Sequence, residues 1–160
     1  VNTPEQAARI VAAAKYPPVG ARGAAFSTRA AGFGFFGGEQ HVRDSNEGTA
    51  VIVMVETRAA LAAIDAILAV PGIDAVFFGP NDLSFSLGFP GQMQHPEVVA
   101  AIEHGIARAI AAGVAPGVLA MNPAEFHRWR KAGARYLPGV LSSLVADGLR
   151  AAVAGAHAQD

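Results

Sequence analysis

The chain has 160 residues, and 12 lysines and arginines stand against 13 aspartates and glutamates, so its formal net charge is −1. This balance argues against a nucleic-acid-binding protein, in which basic residues are in excess and cluster on one face. Apolar residues make up 52% of the chain, which is enough to build a core and excludes intrinsic disorder. The absence of cysteine excludes disulfides and thiolate metal sites.

No apolar run in the chain approaches the roughly 20 residues that a membrane-spanning helix requires. The first residues also lack the charged and apolar pattern of a secretory signal. We therefore expect a cytoplasmic protein that binds neither a membrane nor nucleic acid.

The first predicted element is a helix in NTPEQAARIVAAA. Asn2 or Thr3 is the expected N-cap, Pro4 lies in the first turn and Glu5 follows it, all of which are helix-start signals. A glycine-rich segment without regular periodicity, residues 16–49, comes next.

From residue 50 onward, a pattern of strand, turn and helix repeats four times. The predicted strands are TAVIVMVE, IDAVFFG, APGVLA and ARYLPG. The predicted helices are RAALAAIDAILAV, a segment from about Glu97 to Ala112, NPAEFHRWRKAG with Asn122 as its cap, and a last one from about Ser142. The stretch GPNDLSFSLGFPGQMQHP is predicted to be a long loop.

Strands that alternate with helices predict βαβ units and a parallel sheet, hence an α/β fold. A closed (β/α)₈ barrel needs about 250 residues. Four units therefore predict either half of such a barrel with a leading helix or a small open sheet. No linker divides the chain, so residues 1–160 are expected to form a single domain.

The residues that follow the strands are the candidates for function, because parallel α/β folds carry their sites at the carboxyl ends of strands. Glu56 ends the first predicted strand and Asp82 follows the second. Neighbouring strands lie about 4.8 Å apart, so these two carboxylates can converge on one point. Oxygen ligands of this kind suit Mg²⁺ or Mn²⁺. The alternative is that Glu56 caps the following helix and Asp82 caps a turn.

Other motifs give weaker indications. The backbone N–H groups of GPNDLSFS could bind an anion, and Arg22 in YPPVGARG is either a surface side chain or a contact to an anionic ligand. The histidines do not form a ligand set and are interpreted as surface or packing residues: His41, His95, His104, His127 and His157. Walker A, GxGxxG, GxSxG and HExxH motifs are absent.

The segments KYPPVGARG, VIVMVET and AILAVPGIDAVFFGPNDLSFSLG, in this order, closely resemble the HpcH/HpaI family of metal-dependent pyruvate aldolases. Members of this kind include 4-hydroxy-2-oxoheptanedioate and 2-dehydro-3-deoxyglucarate aldolases. The resemblance implies a TIM-type (β/α)₈ barrel, of which this chain covers about the C-terminal half. It also implies a homo-oligomer, usually a hexamer, in which the last helix packs on a neighbouring subunit.

The same resemblance implies the site. A divalent cation (Mg²⁺, Mn²⁺ or Co²⁺) would be bound by Glu56 and Asp82, the substrate carboxylate would meet the backbone at Asn81, and Leu119 would line the pocket of the pyruvate methyl group. The implied reaction is metal-assisted aldol cleavage or condensation, in which pyruvate is enolised and adds to an aldehyde.

The chain departs from the family pattern in two places. Met54 stands where many members have a glutamine that can bind substrate. The family's catalytic histidine and transition-state arginine lie on strands that precede the matched segment, so no catalytic residue is assigned in this sequence. One alternative is a CoA-ester lyase of the citrate lyase β-subunit type. A CoA site needs basic residues for its phosphates, and the presence of only two lysines, Lys15 and Lys131, argues against it. The other alternative is an inert half-barrel that assembles with a partner chain.

Overall fold

A computed structural model, which describes residues 1–157, is built on a three-stranded parallel sheet with the strand order β1-β2-β3. The strands are β1 (Ile52–Val55), β2 (Ala75–Phe78) and β3 (Ala115–Val118). Their register is regular, since Val55 lies opposite Phe78 and Phe78 opposite Val118. All three carboxyl ends therefore lie at one edge of the sheet.

Helices precede, connect and follow the three strands. They are α1 (Pro4–Ala14), α2 (Gly38–Gly48), α3 (Arg58–Ala62), α4 (Ile64–Leu68), α5 (Pro80–Leu87), α6 (Pro96–Ala111), α7 (Pro123–Ala132) and α8 (Leu141–His157). A 3₁₀ helix spans Arg29–Gly34. The Thr3 side chain caps α1 and the Asn122 side chain caps α7, as the sequence predicts. None of the helices described over residues 1–157 is long and apolar enough to cross a membrane.

The two faces of the sheet have different environments. Val53 and Val55 are buried in the core between sheet and helices, whereas Ile52 and Met54 on the opposite face are 44% and 43% exposed. This alternation follows from the two-residue period of a strand. The core side of the sheet also buries larger side chains, among them Phe78, Ile102, Ile106, Val118 and Trp129.

The fourth predicted strand, ARYLPG, forms only an isolated bridge between Tyr136 and Gly117. The Tyr136 carbonyl accepts from Val118 N, and Pro138 O accepts from Ala120 N. Pro138 has no N–H to donate in the opposite direction, so the ladder cannot extend. The prediction of four strands is thus reduced to three strands and one bridge.

Three further predicted boundaries are wrong. Part of the predicted long loop is helix α5, which begins with Pro80 and ends at Gly88 in the left-handed conformation, a common pair of helix-end signals. The helix predicted over RAALAAIDAILAV is two short helices separated at Ala63, where ψ is 10°. The segment 16–49, expected to be irregular, contains α2 and the 3₁₀ helix.

Candidate active site

Glu56 directly follows β1, and its side chain lies against Gly79 at the end of β2. Gly79 N donates to the Val55 carbonyl at 3.1 Å, which aligns the two strand ends. A Cβ atom on Gly79 would lie 3.3 Å from Glu56 Cβ and 3.6 Å from Glu56 Oε2. The absence of a side chain at Gly79 thus allows the Glu56 carboxylate to approach the start of α5.

The first turn of α5 carries Asn81 and Asp82, and both side chains are exposed. Gly79 occupies the N-cap position, so no side chain caps this helix. The first hydrogen bond of the helix runs from Leu83 N to Gly79 O, which leaves the N–H groups of Asn81 and Asp82 ahead of it. Such a helix N-terminus attracts anionic groups, including the carboxylate of a small acid.

Neither Glu56 nor Asp82 is engaged elsewhere among the described residues. The ion pairs within residues 1–157 are Arg43–Glu39, Arg108–Asp65 and Arg150–Asp147. The capping roles considered from the sequence belong to other residues. The Thr57 hydroxyl caps α3 by accepting from Ala60 N at 3.1 Å, and Gly79 occupies the N-cap position of α5. Both carboxylates therefore remain available to a ligand.

Leu119 directly follows β3 and is half-buried. Because Phe78 lies opposite Val118, extension of the register brings Leu119 next to Gly79. The positions predicted from the sequence, 56, 81, 82 and 119, thus lie at the same edge of the sheet. Arg22 has a different environment, since its guanidinium stacks on the Tyr16 ring at 4.6 Å.

A row of residues beneath this edge contains Met54, which the sequence singles out, together with Phe77, Gly117 and Tyr136, which it does not. Met54, Phe77 and Gly117 lie opposite one another across the three strands, and Tyr136 forms its bridge with Gly117. A Cβ atom on Gly117 would be 2.7 Å from Tyr136 Cδ1, so the glycine admits the tyrosine ring. This glycine in an otherwise regular strand was the only available signal, because glycine within a strand often marks a close approach.

The donors at this edge fit a hard divalent cation. The described residues include no group of three or more His, Cys, Asp and Glu side chains that could hold a metal ion. A site for Mg²⁺ does not need such a group, because this ion is usually bound through one or two carboxylates and keeps waters and substrate oxygens as its other ligands. Glu56 and Asp82, which have no other partner among the described residues, are the two carboxylates that this edge offers.

Comparison with known proteins gives a consistent match. The model of the HpcH/HpaI aldolase/citrate lyase family matches residues 1–140. The 2-keto-3-deoxy-L-rhamnonate aldolase of Klebsiella pneumoniae is 45% identical over 138 residues, which are 86% of this chain and 51% of that protein. The chain thus spans about half the length of the curated relatives it matches.

Solved structures agree with this result. An HpcH/HpaI aldolase/citrate lyase family protein from Burkholderia cenocepacia superposes with a TM-score of 0.91 at 34% identity, covering 98% of this chain and 62% of that one. The HpcH/HpaI aldolase of Desulfitobacterium hafniense superposes with a TM-score of 0.80 at 33% identity, and the match covers 94% of this chain and 60% of that one. The prediction of an α/β partial barrel is thereby confirmed.

Proposed function

This chain belongs to the HpcH/HpaI aldolase/citrate lyase family, and we propose that it forms the metal-binding half of a class II aldolase that makes or cleaves a carbon–carbon bond in 2-oxo acids. Pyruvate is the proposed enolate partner. One observation supports this function best: two carboxylates without other partners, Glu56 and Asp82, lie near an uncapped helix N-terminus at the carboxyl edge of a parallel sheet.

Each residue at the site has a proposed role. Glu56 and Asp82 bind the divalent cation, for which Mg²⁺, Mn²⁺ and Co²⁺ are the candidates. The N–H groups of Asn81 and Asp82 bind the substrate carboxylate, and the Leu119 side chain lies against the pyruvate methyl group. When bound, the cation supplies Lewis-acid polarisation of the 2-oxo group.

The proton transfer requires a base that these residues do not supply. None of the four histidines with described side chains makes a hydrogen bond to Glu56 or Asp82: His41 pairs with Ser45, His95 caps α6, and His104 and His127 lie on helices α6 and α7. We propose that the base and an activating arginine come from a part of the barrel outside these residues. This agrees with the share of the relatives' length that the chain spans.

The comparisons narrow the proposed substrate. The Klebsiella pneumoniae relative is named a 2-keto-3-deoxy-L-rhamnonate aldolase, not a 4-hydroxy-2-oxoheptanedioate or 2-dehydro-3-deoxyglucarate aldolase. We propose a 2-keto-3-deoxy sugar acid as substrate, which a retro-aldol step splits into pyruvate and an aldehyde.

We also propose that the chain assembles with copies of itself through α8. Its apolar residues are 53–75% exposed and form one stripe: Leu141, Leu144, Val145, Leu149 and Val153. A groove along α7 with a volume of about 600 Å³ is lined by Phe126 and Leu137 together with the side chains of Arg130 and Arg135. We propose that another copy of the chain covers the apolar stripe of α8, and the family resemblance favours a hexamer.

A second candidate function, an inert half-barrel that needs a partner, is favoured by the open side of β1. Among the described residues β1 is an edge strand of the sheet, and Ile52 and Met54 on it are nearly half exposed. An unpaired strand edge of this kind can accept another strand.

Exchange of the pyruvate methyl protons with D₂O, followed by NMR, separates these functions. The aldolase function predicts exchange that requires Mg²⁺ or Mn²⁺ in the full-length gene product, where the base is supplied, and loss of that exchange in the Asp82→Ala variant of the same protein. The control Glu103→Ala, on exposed α6 surface, should exchange like the wild type. Absence of metal-dependent exchange from the full-length wild type would favour the inert half-barrel.

A further inference from the structure

The two candidate cation ligands lie on different segments of the chain, and a hydrogen bond outside the sheet joins these segments. Glu56 precedes helix α3, which begins at Arg58, and Asp82 lies in the first turn of α5. The backbone N–H of Arg58 donates to Ser86 Oγ at 2.9 Å. A residue two positions after Glu56 is therefore bonded to a residue four positions after Asp82.

This hydrogen bond determines which face of α5 is turned toward the Glu56 segment. Residues four positions apart in a helix lie on the same face, with Cβ atoms about 5–6 Å apart. Ser86 and Asp82 have this spacing within α5, and both are exposed. The bond from Arg58 therefore holds the face that carries Asp82 toward the segment that carries Glu56.

Further hydrogen bonds hold α5 in this orientation. The guanidinium Nη2 of Arg58 donates to Leu87 O, at the last residue of α5, at 3.0 Å. Ser84 lies on the other side of the helix, two positions before Ser86, and is fully buried. Its hydroxyl donates to Asn81 O at 2.6 Å and accepts from Gly91 N at 3.1 Å. The helix is thus held from two sides, which limits its rotation about its own axis.

We propose that Ser86 is a positioning residue, which acts on the bound cation through Asp82. Its hydroxyl keeps the Asp82 carboxylate on the side of α5 that is turned toward Glu56. Without the hydroxyl, the Arg58 N–H turns to water and α5 can rotate, which moves the two carboxylates apart. Groups that orient a metal ligand affect metal affinity even though they do not touch the metal. The inference rests on the proposed function, because it takes Glu56 and Asp82 as the cation ligands.

A double-mutant cycle on the affinity for Mn²⁺ tests this role, because it separates an effect exerted through Asp82 from a general effect on the fold. The four proteins are the wild-type chain, Ser86→Ala, Asp82→Ala and the variant that carries both changes. Ser86→Thr retains the hydroxyl and should rescue binding. Ser142→Ala, which removes an exposed serine from helix α8, is the matched control. Isothermal titration calorimetry measures the affinity, and urea denaturation reports the stability of each variant.

We expect Ser86→Ala to weaken Mn²⁺ binding by roughly three- to tenfold when Asp82 is present, and by less than about twofold when residue 82 is already alanine. Ser86→Thr and Ser142→Ala should bind like the wild type. Unchanged affinity in Ser86→Ala, or an equal loss in both backgrounds, would overturn this inference and leave the proposed function standing. Wild-type affinity in Asp82→Ala would overturn both.

Discussion

Gly79 N donates to the carbonyl of Val55 at 3.1 Å, and this bond joins the two chain segments that carry the candidate cation ligands. Glu56 is the next residue after Val55, and Asp82 lies three residues after Gly79 in the first turn of α5. The alignment of β1 with β2 therefore determines the distance between the two carboxylates. A small change to this alignment should therefore weaken cation binding while the rest of the fold stays intact.

Substitution Gly79→Ala tests this dependence. The new Cβ would lie 3.3 Å from Glu56 Cβ, so the Glu56 side chain must shift by a few tenths of an ångström. We expect the affinity for Mn²⁺ to fall by roughly three- to tenfold, because ligand positions matter at this scale. Isothermal titration calorimetry measures this, with Gly23→Ala as the control, since a Cβ there meets nothing within 4 Å. Equal affinities in the two variants would exclude this role for Gly79.

Substitution Gly117→Ala should destabilise the fold. Its Cβ would lie 2.7 Å from Tyr136 Cδ1 and 2.8 Å from Tyr136 O, and the backbone atom cannot move without breaking the bridge. Overpacking of this kind costs about 1–3 kcal/mol of the free energy of unfolding. Urea denaturation measures the loss.

The matched control is Gly148→Ala in α8, where a Cβ meets nothing within 4 Å. Alanine is favoured over glycine within a helix, so this change should leave stability unaltered or raise it by about 0.5–1 kcal/mol. A Gly117→Ala protein as stable as Gly148→Ala would mean that Tyr136 is not held against β3.

If copies of the chain assemble through α8, the substitution Leu144→Asp should dissociate the oligomer. Leu144 is 56% exposed within the apolar stripe, and a carboxylate there would be buried without a partner in the assembly. Size-exclusion chromatography with light scattering should give a lower molar mass than for the wild type. Arg150→Ala, which changes the charged side of α8 that carries the Arg150–Asp147 pair, is the control. Assembly that survives Leu144→Asp would argue against this interface.

Much of the fold follows from local patterns in the sequence. The apolar runs around Val53, Val76 and Val118 predict the three strands, because strands of a parallel sheet are covered on at least one face by helices. The caps of α1 and α7 are visible as Thr3 before Pro4 and as Asn122 before Pro123. The predicted site positions follow from the same strands, since each comes directly after a strand end or in the next helical turn.

Other features could not be predicted from local patterns. The segment PNDLSFSL has the composition of a turn, yet it forms α5 because Pro80 starts the helix and Gly88 ends it. The bridge at Tyr136 depends on Gly117, which is nineteen positions earlier in the chain, and the missing N–H of Pro138 prevents its extension into a strand. The neighbours of Met54 across the sheet, Phe77 and Gly117, follow only from the register of the three strands, because the strand pattern alone does not say which residues lie opposite one another.

A titration with Mn²⁺, followed by electron paramagnetic resonance of the free ion, tests the central claim most directly. We expect the wild-type chain to bind the ion, Asp82→Ala and Glu56→Gln to bind it at least about tenfold more weakly, and Glu103→Ala to match the wild type, because each removed carboxylate takes away a ligand charge. Wild-type affinity in the Asp82→Ala and Glu56→Gln variants would contradict the assignment of these two carboxylates as the cation ligands.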